Sequence, residues 1–148
     1  RSPGILVQSI GAAGGNGEGA TVVGTGGSGG SGGGSNYVSI INMANVTTYG
    51  QYASGIVVQA LGGNGGVGGN SGFYGGSGGF GAGSGQGGDI NITNAFWSTI
   101  RTHGSGSAGI LAQSIGGFSG AGGSASGLIA FGGSSTSAGN GGLVQNVN

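Results

Sequence analysis

The sequence predicts an all-β repeat protein: a β-solenoid (β-helix-like) with glycine-rich excursions packed as polyglycine II-like extended helices. Three observations predict it. Apolar blocks of one pattern recur at nearly constant spacing. The segments around them are rich in Val, Ile, Thr and Tyr and show no sustained 3.6-residue period. The longest glycine-rich stretch keeps glycine at every third position.

The blocks are "GILVQSIG" at 4–11, "GIVVQALG" at 55–62 and "GILAQSIG" at 109–116. They define units of about 51–54 residues, and fixed-period self-similarity marks an architecture whose units bury their apolar faces on one another. A second block recurs in step, "YVSIIN" ending at Asn42, "DINITN" at Asn94 and "VQNVN" at Asn148. A third pair, "TTYG" at 47–50 and "RTHG" at 101–104, sits between them. Each unit therefore reads as a glycine-rich stretch, a strand, an Asn turn, a second strand, a Gly turn and the GIxxQxxG strand.

Alternate residues of a strand take opposite faces. One face of the blocks carries Ile5, Val7 and Ser9, then Ile56, Val58 and Ala60, then Ile110, Ala112 and Ser114. The other carries Leu6, Gln8 and Ile10, then Val57, Gln59 and Leu61, then Leu111, Gln113 and Ile115. Both faces are mostly apolar, which predicts strands covered on both sides. Gln8, Gln59 and Gln113 hold the same place in each block. Stacked in register their amides would form a ladder; otherwise they are three separately satisfied polar residues.

The glycine-rich excursions span 11–35, 62–88 and 116–142, and the middle one holds 16 glycines in 27 positions. Gly63, Gly66, Gly69, Gly72, Gly75, Gly78 and Gly81 form an unbroken period-three series. A polyproline II backbone has three residues per turn and no internal hydrogen bonds. The series would give such a helix one bare edge for close backbone approach, with Asn64, Val67, Phe73 and Phe80 projecting elsewhere. A structureless loop of this length in a compact repeat is uncommon. Ordering so much glycine costs entropy, so the segments are expected to pack together and to cover the outer face of the GIxxQxxG strands.

Composition narrows the function classes. Of 148 residues 46 are Gly, and the only charged ones are Arg1, Glu18, Asp89 and Arg101. Zero net charge removes the electrostatic footprint of nucleic-acid binding and basic attachment to anionic lipid. One proline and broken glycine spacing exclude collagen. There is no cysteine, hence no disulfide. No run approaches the roughly 18 apolar residues of a membrane helix, so no direct membrane insertion is expected. The chain starts at Arg1 and stops mid-pattern, which reads as a piece of a longer protein.

Little catalytic chemistry is present. Glu18 and Asp89 are the only carboxylates and His103 is the only histidine. Neither a paired acid and base nor a repeated metal or triad site can be assembled from them. No catalytic, metal or cofactor-binding residue is assigned. Matches to GxGxxG follow from glycine density and lack a strand-to-helix setting. "GGDINI" at 87–92 lacks the aspartate in each unit that a calcium-binding repeat needs. Phe96 and Trp97, after an Asn turn, are the candidate surface-contact pair.

"SAGILAQSIGGFSGAGG" at 107–123 resembles the glycine-rich repeat of bacterial autotransporter passenger domains, in which a form like SxGIxAQSIGGGGG recurs. "SGIVVQALGGNGG" at 54–66 and "GILVQSIGAAGGNG" at 4–17 are similar to the same element. The resemblance covers essentially the whole chain. Val58 and Ala60 depart from the usual Ala and Ser, and "GFSG" interrupts the glycine run. It implies a type V secretion passenger, an exported β-solenoid stalk at the bacterial cell surface or outside the cell. The expected function is a structural or adhesive fibre module without catalysis that self-associates laterally or end to end and contacts a host or matrix surface. The alternative is a surface-binding adhesin module recognising a receptor, a polysaccharide or ice through a flat repetitive face.

Overall fold

The computed structural model describes residues 2–147, and every regular element among them is a strand. In chain order these are β1 (Ile5–Ile10), β2 (Val38–Asn42), β3 (Val46–Thr48), β4 (Ile56–Leu61), β5 (Gly76–Ser77), β6 (Ile90–Asn94), β7 (Ile100–Thr102), β8 (Ile110–Ile115), β9 (Ala130–Phe131) and β10 (Val144–Val147). The chain is all-β, built from small open parallel sheets. Asn148 lies outside the described residues.

Every pairing joins equivalent strands of neighbouring units. The three GIxxQxxG strands pair in the order β1-β4-β8, with Ile5 opposite Ile56 and Ile56 opposite Ile110. The Asn-terminated strands pair as β10-β6-β2, with Val38 and Val144 both opposite Ile90. Two-stranded sheets β3-β7 and β5-β9 complete the set.

The core lies between the two larger sheets. Ile56, Val58 and Ala60 of β4 are fully buried and pack with Val38, Ile90 and Ile92. Ile5, Val7, Ile40, Ile100, Ile110 and Ala112 of the outer units close around them while staying partly exposed. β4 and β6 pair with a strand on each side, and the fully buried large side chains, Ile56, Val58, Ile90 and Ile92, all lie on these two strands.

The opposite face of the GIxxQxxG sheet corrects an expectation. Leu6 and Ile10 are 52% and 65% exposed, and Leu111 and Ile115 are 40% and 49% exposed. The glycine segments do not fold across this face because they continue the layer of the strands themselves. The Ile10–Leu61 register runs on through Gly11 N–H to Leu61 C=O, Gly14 to Asn64 and Gly17 to Val67, each at 2.8 Å.

Candidate functional surface

Each glycine-rich excursion is a hairpin of two extended segments rather than one helix. In the middle unit 62–71 runs outward and 78–87 returns, with the reversal at 72–77. Within the hairpin Gly79 N–H donates to Gly69 C=O, Ala82 to Gly66 and Gly85 to Gly63, at 2.8, 3.0 and 2.8 Å. The spacing is three residues, so each segment presents one of its three edges to its partner.

The other bonds leave the unit. Gly62, Gly65 and Gly68 donate to Ile115, Phe118 and Ala121 of the next outgoing segment. Gly63, Gly66 and Gly69 donate to Gly33, Gly30 and Gly27 of the preceding returning segment. Backbone donors are thus satisfied across units.

The seven period-three glycines do not form one edge: Gly63, Gly66 and Gly69 share an edge of the outgoing segment. Gly72 and Gly75 belong to the reversal, and Gly78 and Gly81 donate to the returning segment of the next unit. A second series needs glycine equally: a Cβ at Gly62, Gly65 or Gly68 would strike the carbonyl of Gly85, Ala82 or Gly79. Two of three edges are bare, and the third carries Asn64, Val67 and Asn70, all exposed. The reversals use positive φ at Gly24, Gly75, Gly76 and Gly127, a region that glycine enters without steric cost.

The outward edge has its own chemistry. Asn16 Oδ1 accepts the N–H of Val67, Asn64 that of Phe118 and Asn70 that of Ser124, each at 3.0 Å. Asn45 serves Thr99 and Asp89 serves Leu143 in the same way, both at 2.8 Å. An outward N–H has no backbone partner, and the carbonyl of an Asn or Asp side chain one unit earlier supplies one. Asp89 is therefore engaged as a cap.

The glutamines of the three blocks meet. Gln8 Nε2 donates to Gln59 Oε1 at 2.7 Å, and Gln59 Nε2 donates to Gln113 Oε1 at 3.0 Å. At the Asn turns, Asn42 Nδ2 donates to Asn94 Oδ1 at 2.8 Å, and Ser98 Oγ donates to Asn94 Oδ1 at 2.9 Å. Phe96 is fully exposed and Trp97 75% exposed on the turn that follows β6. Tyr49 and His103, equivalent residues of two units, stack at 4.9 Å with 7° between their planes. Among the described residues, no three His, Cys, Asp or Glu side chains converge.

Sequence reasoning missed the tips of the hairpins. Val22-Val23, Phe73-Tyr74 and Leu128-Ile129 all stand there exposed. The signal was in the chain: an apolar pair interrupts each glycine run at the same place.

No family model matches the chain, and no curated protein matches it significantly. Among solved structures it is similar to a springtail antifreeze protein from Granisotoma rainieri, a nine polyproline type II helical bundle whose crystal waters match the ice lattice. Identity is 22% over 97% of this chain and 84% of that chain, with a TM-score of 0.33. A TM-score of that size carries no argument here.

Proposed function

We propose that the chain is a stacked-repeat module of an extracellular or cell-surface fibre or stalk, a β-solenoid whose glycine layers are polyglycine II-like helices. The observation that carries this reading is the middle unit. Its strands β4 and β6 and both of its glycine segments bond to equivalent segments on either side. Such stacking grows by repetition, and each added unit lengthens the rod by one strand spacing, about 4.8 Å.

The function is mechanical. Backbone bonded to backbone in three directions leaves a protease little extended chain to engage, and the weakly charged surface suits contact with copies of itself or with a host or matrix surface. At the third unit the core opens into a recess of about 490 Å³ lined by Asn94, Ser98, Thr99, Ile100, Gly109, Ile110 and Asn146. A further unit would close it. The reading assigns no catalysis, no cofactor and no nucleic acid, and the autotransporter-like motif supports export by type V secretion.

The test is amide hydrogen exchange on the 148-residue chain, read at 62–71 and 78–87. Strong protection at every third amide of both bonded edges is expected, with faster exchange at the outward amides. Random-coil rates throughout 62–88 would refute the ordered glycine layer and the stalk reading with it. A surface-binding adhesin module is the second reading, favoured by one observation: columns such as Leu6-Val57-Leu111 and Ile10-Leu61-Ile115 lie open on one sheet face.

A further inference from the structure

We infer that the tips of the three glycine hairpins form one lateral docking surface for a second copy of this chain. The inference rests on the self-association part of the fibre reading and names the surface that carries it. Val22, Val23, Phe73, Tyr74, Leu128 and Ile129 are between 57% and 97% exposed. An aromatic side chain offers about 150–250 Å² and an aliphatic one about 60–120 Å² at about 25 cal/mol/Å², so the six, at these exposures, present on the order of 550 Å² of apolar surface. That is at the upper end of the roughly 300–600 Å² of the largest patch on a typical monomer. It is about two-thirds of the roughly 800 Å² that each partner contributes to a standard interface.

The six residues are held as a row. Tyr74 N–H donates to Val22 C=O at 3.0 Å, and Gly76 N–H donates to Ile129 C=O at 3.2 Å. The short sheet β5-β9 ties the second tip to the third. Phe73 and Tyr74 brace each other edge to face at 5.2 Å. Residues 20–25, 71–77 and 125–131 contain no charged side chain. A two-fold axis can therefore lay the row on its copy without burying an unpaired charge. The tips also lack the Lys and Arg that would engage lipid headgroups, so the surface suits a second chain better than a bilayer.

End-to-end stacking competes poorly. In the second and third units Gly63, Gly69, Gly117 and Gly123 sit where a Cβ would strike a carbonyl of the preceding unit. The equivalent places in the first unit hold Ala12 and Glu18. A copy stacked there with the inner geometry would meet those two side chains. The tips carry no such obstruction.

Sedimentation velocity on the whole chain tests the inference. The wild-type chain is expected to dimerise. The double variant Phe73→Ser/Tyr74→Ser is expected to be monomeric, its dimerisation weakened by about 100-fold or more, since each buried aromatic is worth at least about tenfold. Amide exchange at 62–71 should match wild type, showing that the hairpin still folds. Because the chain has no cysteine, Leu128→Cys gives a second readout that keeps the tip apolar. Mild oxidation should yield a disulfide-linked dimer from Leu128→Cys and none from Phe96→Cys. A dimer that persists in the double variant, or fails to cross-link through Leu128→Cys, overturns the tip surface and leaves self-association standing. A wild-type chain monomeric at high micromolar concentration overturns both. Binding to neutral phosphatidylcholine vesicles that is lost in the double variant, without any dimer, assigns the tips to lipid and overturns the inference as well.

Discussion

Replacing Gly66 by Ala tests the packing of the glycine layer at its centre. Gly66 N–H donates to Gly30 C=O at 2.9 Å, and Gly30 N–H donates to Gly15 C=O at 2.7 Å. A Cβ on Gly66 would land on that same Gly15 carbonyl, 2.6 Å from its carbon, and 3.1 Å from Gly30 N. These are backbone atoms and cannot swing aside, so both bonds must lengthen or break. Gly66 is buried and Gly30 and Gly15 are exposed, so unpairing the first N–H costs about 1–3 kcal/mol and losing the second bond about 0.5–1.5 kcal/mol, together about 1.5–4.5 kcal/mol. That is a large share of a typical stability of about 5–15 kcal/mol. At a urea m-value of about 2 kcal/mol/M the midpoint should fall by about 1–2 M. Gly15→Ala is the control, because a Cβ there meets nothing within 4 Å. It should raise stability by about 0.4–1 kcal/mol, since the substitution narrows the unfolded ensemble. Opposite signs for the two alanines are the expected outcome of paired urea titrations with unchanged m. Equal effects would refute the claim that 62–71 is packed against its neighbours in solution.

Other substitutions probe other parts of the stack. Gln59→Leu removes both amide contacts of the glutamine column and should cost about 1–2 kcal/mol; a Gln8/Gln59 double-mutant cycle should show coupling that a pair of independent residues lacks. Ile92→Ala empties a fully buried site and should cost about 2–5 kcal/mol, against less than about 0.5 kcal/mol for Ile41→Ala on the exposed face of β2, both read from denaturant midpoints. Asn91 Oδ1 is buried without a hydrogen-bond partner, so Asn91→Val should raise stability by about 1 kcal/mol, visible as a higher Tm. Asn70→Ala removes the acceptor of Ser124 N–H and should speed exchange of that amide without moving the amide of Phe118.

The all-β class was legible because period-two apolar patterning and β-branched residues leave helix no face to bury. The strand positions followed from the same alternation: Ile90 and Ile92 turn inward while Asn91 and Thr93 turn away. The cover of the outer sheet face was misjudged for an equally physical reason. Leu6, Ile10, Leu111 and Ile115 are apolar, but alternation says only which residues share a face, not whether any chain lies over it. The hairpins were hidden because their reversals carry Val22-Val23, Phe73-Tyr74 and Leu128-Ile129 in place of the polar residues expected at turns.

The glycine pattern itself shows how much a threefold backbone writes into sequence, and how easily half of it is overlooked. A segment with three edges needs glycine only on edges that face another backbone. In "GGNGGVGGN" at 62–70 glycine fills the two edges on which a Cβ would strike a neighbouring carbonyl, and Asn64, Val67 and Asn70 take the third. Reading one period-three series found one of those edges, because a single series says nothing of its phase-shifted companion. In the first unit the equivalent edge holds Ala12, Gly15 and Glu18, so two of its three places carry side chains, while Gly11, Gly14 and Gly17, which face the returning segment, all stay glycine. Glycine is therefore a record of room rather than a full contact map: a period-three series marks an edge that another backbone can approach, yet Gly15 faces open space and Ala82 is buried within the series of Gly79 and Gly85.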